Sequence, residues 1–341
     1  MTSTQARPSP PAAAPAGRAG LSRPVAVMLL VLASACVASV LVGSTTVSWH
    51  ALLRDDGPDH AVAVARVGRT VAAIAAGGAL GLAGACLQGL ARNPLADPGL
   101  LGLNVGSAFA MIVAIAFLGV SDLRAYIWFA FAGAALTGLA VQLIASRVRG
   151  GATPLTLVIT GAAVTAALTS WVSAILLIDR QTLEAFRFWS VGTVGARTVD
   201  EVLTVLPFLL VGAFLALLSA RVLDSLALGD DLSRGLGRHP GRDRLLVWTA
   251  VVLLCGGATG LAGPIAFVGL VVPHLARSIV GPSYARVLPL SVGYGAALTV
   301  ASDTLGRVLV PPTEVQVGVM TALVGAPVFV ALARRSRIGG L

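Results

Sequence analysis

The sequence predicts an all-α polytopic membrane protein with about ten transmembrane helices. Of its 341 residues, 56% are hydrophobic and only 11% are charged, and the mean hydropathy is +0.89. A soluble globular domain carries about 25% charged residues. The apolar residues gather in stretches of about 17 to 25, the length that crosses a bilayer as a helix. Composition and stretch length together exclude a soluble domain.

The predicted spans follow the apolar stretches in chain order. Four glycines, at positions 256, 257, 260 and 263, interrupt the seventh and eighth stretches, so their boundaries are the least defined. The ten spans are predicted at Val25–Val42, Thr70–Leu90, Gly102–Leu118, Ala125–Ala145, Leu155–Ile178, Val202–Ala220, Leu245–Leu261, Pro264–Val280, Val287–Leu305 and Val315–Leu332.

The arginines predict the orientation of these spans. All 24 basic residues are arginine. Cytoplasmic loops of membrane proteins carry an excess of basic residues. With a cytoplasmic N-terminus, 16 of the 24 arginines fall on the cytoplasmic side. This bias predicts a multi-pass protein of the cytoplasmic membrane, with an even number of spans and both termini in the cytoplasm.

Three regions lie outside the spans or interrupt them. Residues 1–23, rich in Pro, Ala and Ser, are predicted to be a disordered cytoplasmic tail; a cleaved signal peptide is the rival interpretation, but no small-residue cleavage site follows the first apolar stretch. Residues 24–335 form the ten-span domain, and residues 336–341 form a cytoplasmic C-terminal tail. The longest internal hydrophilic segment, residues 221–244, is predicted to be a cytoplasmic docking loop, since loops of this size are usually functional.

The absence of lysine excludes two kinds of chemistry. A phosphate-binding P-loop needs a lysine after its glycines, and a Schiff-base protein needs a lysine amine. The chain therefore cannot hydrolyse ATP through a Walker-type site of its own. It is also expected not to be an enzyme and to bind no cofactor. Any ATP and Mg²⁺ would belong to a partner ATPase. The net charge of +9 is explained by topology and anionic membrane lipids, so no nucleic-acid partner is needed.

One polar motif separates the second and third spans. It reads ARNPLADPGLLG over residues 91–102 and contains Arg92, Asn93, Pro94, Asp97 and Pro98. The two prolines prevent a continuous helix, so the backbone polar groups need partners of their own. The motif is predicted to be a functional or docking turn at the membrane boundary.

Charged residues within the spans are scarce, and this separates transporter classes. Proton-coupled carriers usually bury acidic or histidine relays. The clearest candidate here is Asp303, which lies four residues before Arg307 and is predicted to pair with it. Gln88 and Asn104 could line a polar path or bond a neighbouring helix. A secondary carrier is thus the less favoured class.

Three segments together resemble a known family. They are the motif at residues 91–102, GPIAFVGLVVPHLAR at 263–277 and VGVMTALVGAPVFVALARR at 317–335. They resemble the permease subunits of type II ABC importers for iron siderophores and cobalamin. The resemblance implies a permease dimer formed with a second copy or a different permease, two cytoplasmic ABC ATPase subunits and an extracytoplasmic substrate-binding protein.

The resemblance also implies roles for individual residues. Arg66, Arg69 and Arg307 match arginines that meet glutamates of the binding protein, a pairing that suits guanidinium and carboxylate. Val67 and Gly68 replace the usual Leu-Pro between the first two. The segment that couples to the ATPase is matched by Leu228, Gly229, Asp230, Asp231, Arg234 and Gly237.

The segment FRFWSVGTVG at residues 186–195 is more similar to the siderophore branch of that family than to the cobalamin branch. The implied cargo is therefore a ferric siderophore. Cobalamin and haem remain open within the same family, and a secondary carrier remains the alternative from another class.

Overall fold

The computed structural model describes residues 21–43, 58–120, 122–148, 151–235, 237–311 and 313–338. Most of the predicted N-terminal tail, the last three residues of the C-terminal tail and Leu236 lie outside the described residues. Within these ranges the chain is all α-helical. The α-helices are α1 (Ser22–Leu41), α2 (Pro58–Leu90), α3 (Leu103–Leu118), α4 (Leu123–Arg147), α5 (Pro154–Ile178), α6 (Arg180–Ser190), α7 (Val199–Leu218), α8 (Ala220–Ala227), α9 (Asp230–Gly235), α10 (Pro240–Ala262), α11 (Val268–Val280), α12 (Tyr284–Leu309) and α13 (Val317–Ile338).

Each of the ten predicted spans corresponds to one long helix. The spans are α1 to α5, α7 and α10 to α13, and the short helices α6, α8 and α9 lie in the connections between them. Among the described residues, six of these helices are long and apolar enough to cross a membrane by length and composition alone. The fold class and the helix count are therefore as predicted.

Local side-chain caps explain where several helices begin. The hydroxyl of Thr198 accepts a hydrogen bond from the Glu201 amide at 3.4 Å, and the Glu201 carboxylate accepts one from the Thr198 amide at 2.9 Å. This reciprocal pair is a capping box, and it fixes the start of α7. Asp179 caps α6 by accepting from the Gln181 amide at 3.0 Å. Thr153 caps α5 in the same way, just before Pro154.

Helix α2 is the centre of the bundle. In the apolar 18-residue stretch of α2 that is long enough to span a membrane, 83% of the residues are buried. The corresponding share is 11% in α5 and 6% in α1. Its small residues let other helices approach closely, because packing replaces the hydrophobic effect in lipid. A methyl group added at Gly81 would overlap the Ser291 carbonyl of α12, and one added at Gly84 would overlap Gly269 of α11.

The bundle has two ends. The α6 end carries α6, the first turns of α2 and the last turns of α12. The α9 end carries α8, α9, the last turn of α2 and the first turns of α10 and α12. Because α2 and α12 pack together through their glycines, residues far apart in sequence meet at each end.

The structure corrects the prediction that the motif at residues 91–102 is only a boundary turn. Gly102, at its end, lies against Gly161 and Thr165 of α5. Thr165 is eleven residues into α5, about 16 Å along the helix. The motif therefore leaves the α9 end and folds back into the bundle. As a result α3 needs only 16 residues, about 24 Å, which is less than the ~30 Å hydrocarbon core.

The start of the eighth span is also corrected. The prediction was Pro264–Val280, but α11 begins at Val268 and has 13 residues. Residues 263–267 are non-helical because Gly263 and Phe267 both have left-handed φ values, of 71° and 68°. Irregular backbone at membrane depth requires protein partners. At the edge of this segment, the amide of Thr193 donates to the carbonyl of Ala262, the last residue of α10, at 2.7 Å.

Candidate functional site

Three arginines and two carboxylates meet at the α6 end. We call Arg66, Arg69, Asp303, Arg307 and Glu314 the arginine cluster. Arg66 and Arg69 lie one turn apart near the start of α2, and Asp303 and Arg307 lie one turn apart near the end of α12. Glu314 lies in the connection between α12 and α13.

Arg69 forms the central interaction of this cluster. Its Nε donates to both oxygens of Asp303, at 2.9 and 2.8 Å. Its Nη1 donates to Oε2 of Glu314 at 2.6 Å. One guanidinium thus uses two separate edges for two carboxylates, a geometry that arginine can supply and lysine cannot.

Arg307 is the most buried of the three arginines. Only 2% of the residue is exposed. Its Nε lies 3.4 Å from Oδ2 of Asp303, and its Nη2 donates to the hydroxyls of Ser39 and Thr304 at 2.8 and 3.2 Å. The predicted pairing of Asp303 with Arg307 is present, but Asp303 lies closer to Arg69.

Arg66 faces the end of α1. Its Nη1 donates to the carbonyls of Val40 and Leu41 at 3.2 and 3.3 Å. These are among the last carbonyls of α1 and lack intrahelical partners. Arg66 and Arg69 are only 6% and 8% exposed. All three arginines therefore converge, as the resemblance requires, but each is engaged with groups of this chain. Their role in docking stays a prediction.

A second charged cluster lies at the α9 end. Asp230, the first residue of α9, accepts hydrogen bonds from two arginines. Nη2 of Arg244 donates to its Oδ1 and Oδ2 at 2.8 and 2.7 Å, and Nη2 of Arg92 forms a short ion pair with its Oδ1. We call Asp230, Arg92 and Arg244 the aspartate clamp. It ties α9 both to the motif and to the first turn of α10.

Electrostatics fix the charge state of the clamp. Partial burial raises the pKa of Asp230, but the hydrogen bonds and charges of Arg92 and Arg244 outweigh this effect and hold that pKa below its ordinary value. Asp230 is thus a carboxylate at neutral pH. The side chain of its neighbour Asp231 is 98% exposed and, within the described part of the chain, forms an ion pair only with Arg234, at 3.2 Å.

The predicted coupling segment carries exposed apolar side chains next to the aspartate clamp. Leu228 and Leu232 are 58% and 64% exposed. The predicted docking loop contains two short helices, α8 and α9, which are separated at Gly229 by its left-handed φ of 103°. Gly237 ends the segment with a φ of 77°. The result is a short protruding turn with apolar and charged side chains.

The rest of the motif satisfies its own backbone. The Asn93 side chain accepts from the Leu95 amide at 2.9 Å, and the Asp97 carboxylate accepts from the Gly99 amide at 2.8 Å. Asp97 thereby caps a short 3₁₀ turn, Pro98–Leu101. Pro94 and Pro98 keep the segment from continuing α2. These local bonds allow a non-helical segment to lie within the bundle.

Near the motif, polar side chains form hydrogen bonds between neighbouring helices. Nη1 of Arg277 donates to Oε1 of Gln88 at 2.6 Å, and Nε2 of Gln88 donates to the carbonyls of Gly269 and Leu270 at 3.1 and 3.2 Å. Thr259 donates to Oδ1 of Asn104 at 3.2 Å. Of the two alternatives left open for Gln88 and Asn104, the structure shows bonding between helices.

Sequence reasoning missed the two contacts that organise the site. Arg69 and Asp303 are 234 residues apart, and Arg92 and Asp230 are 138 apart. Local spacing carries no signal for either pair. In the sequence, these two contacts are indicated only by the position of Asp303 and Asp230, which are acidic residues near predicted membrane boundaries.

These features define a class. Ten long helices, charged clusters at the two ends and a short exposed helix at one end are the features of a polytopic membrane permease. Comparisons with known proteins agree. The profile of the FecCD transport family matches residues 27–335. The chain belongs to the FecCD transport family.

Individual relatives are similar over nearly the whole chain. The ferric enterobactin transport system permease protein FepD of Escherichia coli (strain K12) is 39% identical over 332 residues, 95% of this chain and 99% of FepD. The probable siderophore transport system permease protein YfiZ of Bacillus subtilis (strain 168) is 37% identical, over 90% of this chain and 94% of YfiZ. A solved inward-facing metal-chelate type ABC transporter has a TM-score of 0.83 and 27% identity, covering 92% of this chain and 99% of that chain.

Proposed function

We propose that this chain is the translocation subunit of an ATP-driven importer of ferric siderophores. The observation that carries the proposal is the full-length similarity to siderophore permeases, joined to a charged cluster at each end of the bundle. One cluster suits docking of a binding protein and the other suits coupling to an ATPase. The cargo is inferred from the printed names of the relatives.

The proposed orientation places the α9 end in the cytoplasm. The arginine bias supports this assignment. The α6 end then faces outward, toward a substrate-binding protein. Both termini would be cytoplasmic. This arrangement gives each cluster the partner that its chemistry suits.

The chain would not hydrolyse ATP itself. It contains no lysine for a P-loop. ATP and Mg²⁺ would be held by two ABC ATPase subunits that receive α9 and its exposed Leu228 and Leu232. Because the aspartate clamp bonds α9 to Arg92 and Arg244, displacement of α9 would be transmitted to the motif and to α10. The motif ends deep in the bundle, so this movement would reach the middle of the membrane.

A second permease subunit belongs to the same proposal. In α5, only 11% of the apolar 18-residue stretch is buried. The exposed residues of α5 include Thr169 and Ser170, whose hydroxyls bond to the backbone of α5 itself. This exposed face is available to a second permease subunit or to the cargo path. Alternation between two packings of the dimer would carry a siderophore across.

The docking role is tested by ATP-dependent uptake. Proteoliposomes would hold this chain, its ATPase and a candidate binding protein from the same organism, with radiolabelled ferric siderophore as cargo. Arg66→Gln combined with Arg307→Gln, which avoids new buried negative charge, is expected to abolish uptake while basal ATP hydrolysis, the sign of a folded and assembled permease, persists. The matched control is Arg124→Gln, an exposed arginine at the same end of the bundle.

Three results would count against the proposal. Unchanged uptake in the double variant would remove these arginines from docking. Equal loss in the control would show a general charge effect. Uptake of cobalamin or haem in place of every siderophore offered would reject the proposed cargo.

A further inference from the structure

The two carboxylates that hold Arg69 differ in burial. The more exposed one, Glu314, is not explained as a permanent structural partner. Asp303 is 1% exposed and holds Nε of Arg69 with both oxygens. The Glu314 side chain is 40% exposed and holds the other edge of the same guanidinium, at Nη1. The buried Asp303 carboxylate positions Arg69. The more exposed Glu314 carboxylate occupies the edge of the Arg69 guanidinium that is nearer to solvent.

The surroundings of Glu314 allow its side chain to leave. The residue lies in the non-helical connection between α12 and α13. The amide of the next residue, Val315, donates to the Gly306 carbonyl at 2.9 Å, so the backbone is fixed at this point. The side chain can therefore rotate away without any change in the helices. Because the Glu314 side chain is 40% exposed, its carboxylate is hydrated when the pair opens, and this offsets part of the lost interaction.

Opening of the ion pair between Glu314 and Arg69 changes the charge balance of the arginine cluster. Within the cluster, the guanidiniums of Arg66, Arg69 and Arg307 share two carboxylates, those of Asp303 and Glu314. Arg307 also has Nε and Nη1 buried without a hydrogen-bond partner among the described residues. If Glu314 leaves, three guanidiniums share one carboxylate in a largely buried place. The cluster would then bind another carboxylate more strongly.

We propose that Glu314 is an internal carboxylate that occupies Arg69 until a carboxylate of the binding protein replaces it. This inference rests on the proposed docking role of the arginines. Asp303 acts as a positioning residue and holds the guanidinium in place during the exchange. Glu314 thereby keeps the affinity for the binding protein moderate, which favours its release after delivery.

The first test measures affinity. The permease and its ATPase would be held in nanodiscs, and the probe would be the binding protein that supports uptake in the assay above. Glu314→Gln is expected to lower Kd by about two- to fivefold, the range that corresponds to an exposed ion pair. The control is Glu184→Gln, a carboxylate of α6 that has no ion pair among the described residues, and its Kd should be unchanged.

The outcomes separate the two proposals. If Arg69→Gln leaves Kd unchanged, the docking proposal itself fails. If Arg69→Gln weakens binding but Glu314→Gln weakens it or leaves it unchanged, docking stands and the exchange is overturned. Glu314→Asp, which keeps the charge but shortens the side chain, is expected to give an intermediate Kd.

A second test needs no binding protein. Phenylglyoxal modifies accessible guanidiniums, and mass spectrometry would report modification at Arg69. Glu314→Gln is expected to speed this modification several-fold, and Glu184→Gln is expected to leave it unchanged. Equal rates in wild type and Glu314→Gln would show that Glu314 does not cover Arg69, and would overturn the proposal independently of docking.

Discussion

Asp230→Asn tests the aspartate clamp most sharply, because the chain provides a matched control at the next residue. The substitution removes the charge with almost no change in size. Asp231→Asn makes the same chemical change in a side chain that is 98% exposed and lies outside the clamp. Any difference between the two variants therefore reports the clamp.

The expected magnitude follows from burial. A hydrogen bond to a charged group contributes about 1.5–3 kcal/mol when shielded from water, and an exposed ion pair about 0–1 kcal/mol. The Arg244 side chain is 12% exposed and that of Arg92 is 34% exposed. We therefore expect the lower shielded value for Arg244 and the exposed range for Arg92. The sum is about 2 kcal/mol lost in Asp230→Asn.

The assay is thermal unfolding of the purified chain in detergent at pH 7.5. Asp230→Asn should lower the midpoint by about 3 °C or more, and Asp231→Asn by less than about 1 °C. Equal midpoints for the two variants would refute the role assigned to Asp230. A lower ratio of cargo imported to ATP hydrolysed both in Asp230→Asn and in Arg244→Gln, which removes the same bonds from the other side, would show that these bonds carry coupling.

The clamp also predicts a pH dependence. Because the pKa of Asp230 is lowered in the folded chain, its stabilisation is present above the unfolded pKa, about 3.9, and is lost as pH falls through the folded value. The midpoint difference between wild type and Asp230→Asn should stay constant from pH 8 to pH 5. It should shrink below about pH 4, and a difference that grows on acidification would contradict this.

Two further predictions concern the scaffold, and both are checked by thermal unfolding. Gly81→Ala should destabilise the chain by about 1–3 kcal/mol, because the added methyl overlaps the Ser291 carbonyl. Gly78→Ala should be neutral or slightly stabilising, since its methyl meets its nearest neighbour at 3.3 Å, the end of a valine side chain. Thr198→Ala should cost about 1 kcal/mol by removing the capping box with Glu201, and no change in its unfolding midpoint would show that α7 does not depend on this cap.

The long spans could be predicted because each is an unbroken apolar stretch of bilayer length. Predicted and observed ends of α1, Val25–Val42 and Ser22–Leu41, differ by three residues at most. Three places differ from prediction. Helix α2 begins at Pro58, twelve residues before the predicted start of its span at Thr70. Residues 91–102 reach further into the bundle than a boundary turn, and residues 263–267 are an irregular segment where a helix was predicted. Apolar composition alone cannot separate a helix from a buried non-helical segment, because both avoid water.

The site could be predicted only in part. The family resemblance pointed to Arg66, Arg69, Arg307 and the segment around Asp230, and their docking and coupling roles stay predictions. Asp303 was predicted as the partner of Arg307. Its closer contact with Arg69, and that of Glu314, were not predicted, because both arise only from the packing of α2 against α12. Similarly, nothing local links Asp230 to Arg92. Such contacts depend on the tertiary arrangement of helices, which a single sequence does not specify.

The proposed energy source is tested most directly by uptake of radiolabelled ferric siderophore into proteoliposomes with a catalytically inactive ATPase. The preparation would contain this chain, the binding protein and either active ATPase or a variant lacking its P-loop lysine. We expect uptake with the active ATPase, no uptake with the variant and no effect of a protonophore. Uptake that persists without ATP hydrolysis and collapses with the proton gradient would show a secondary carrier and contradict the importer account.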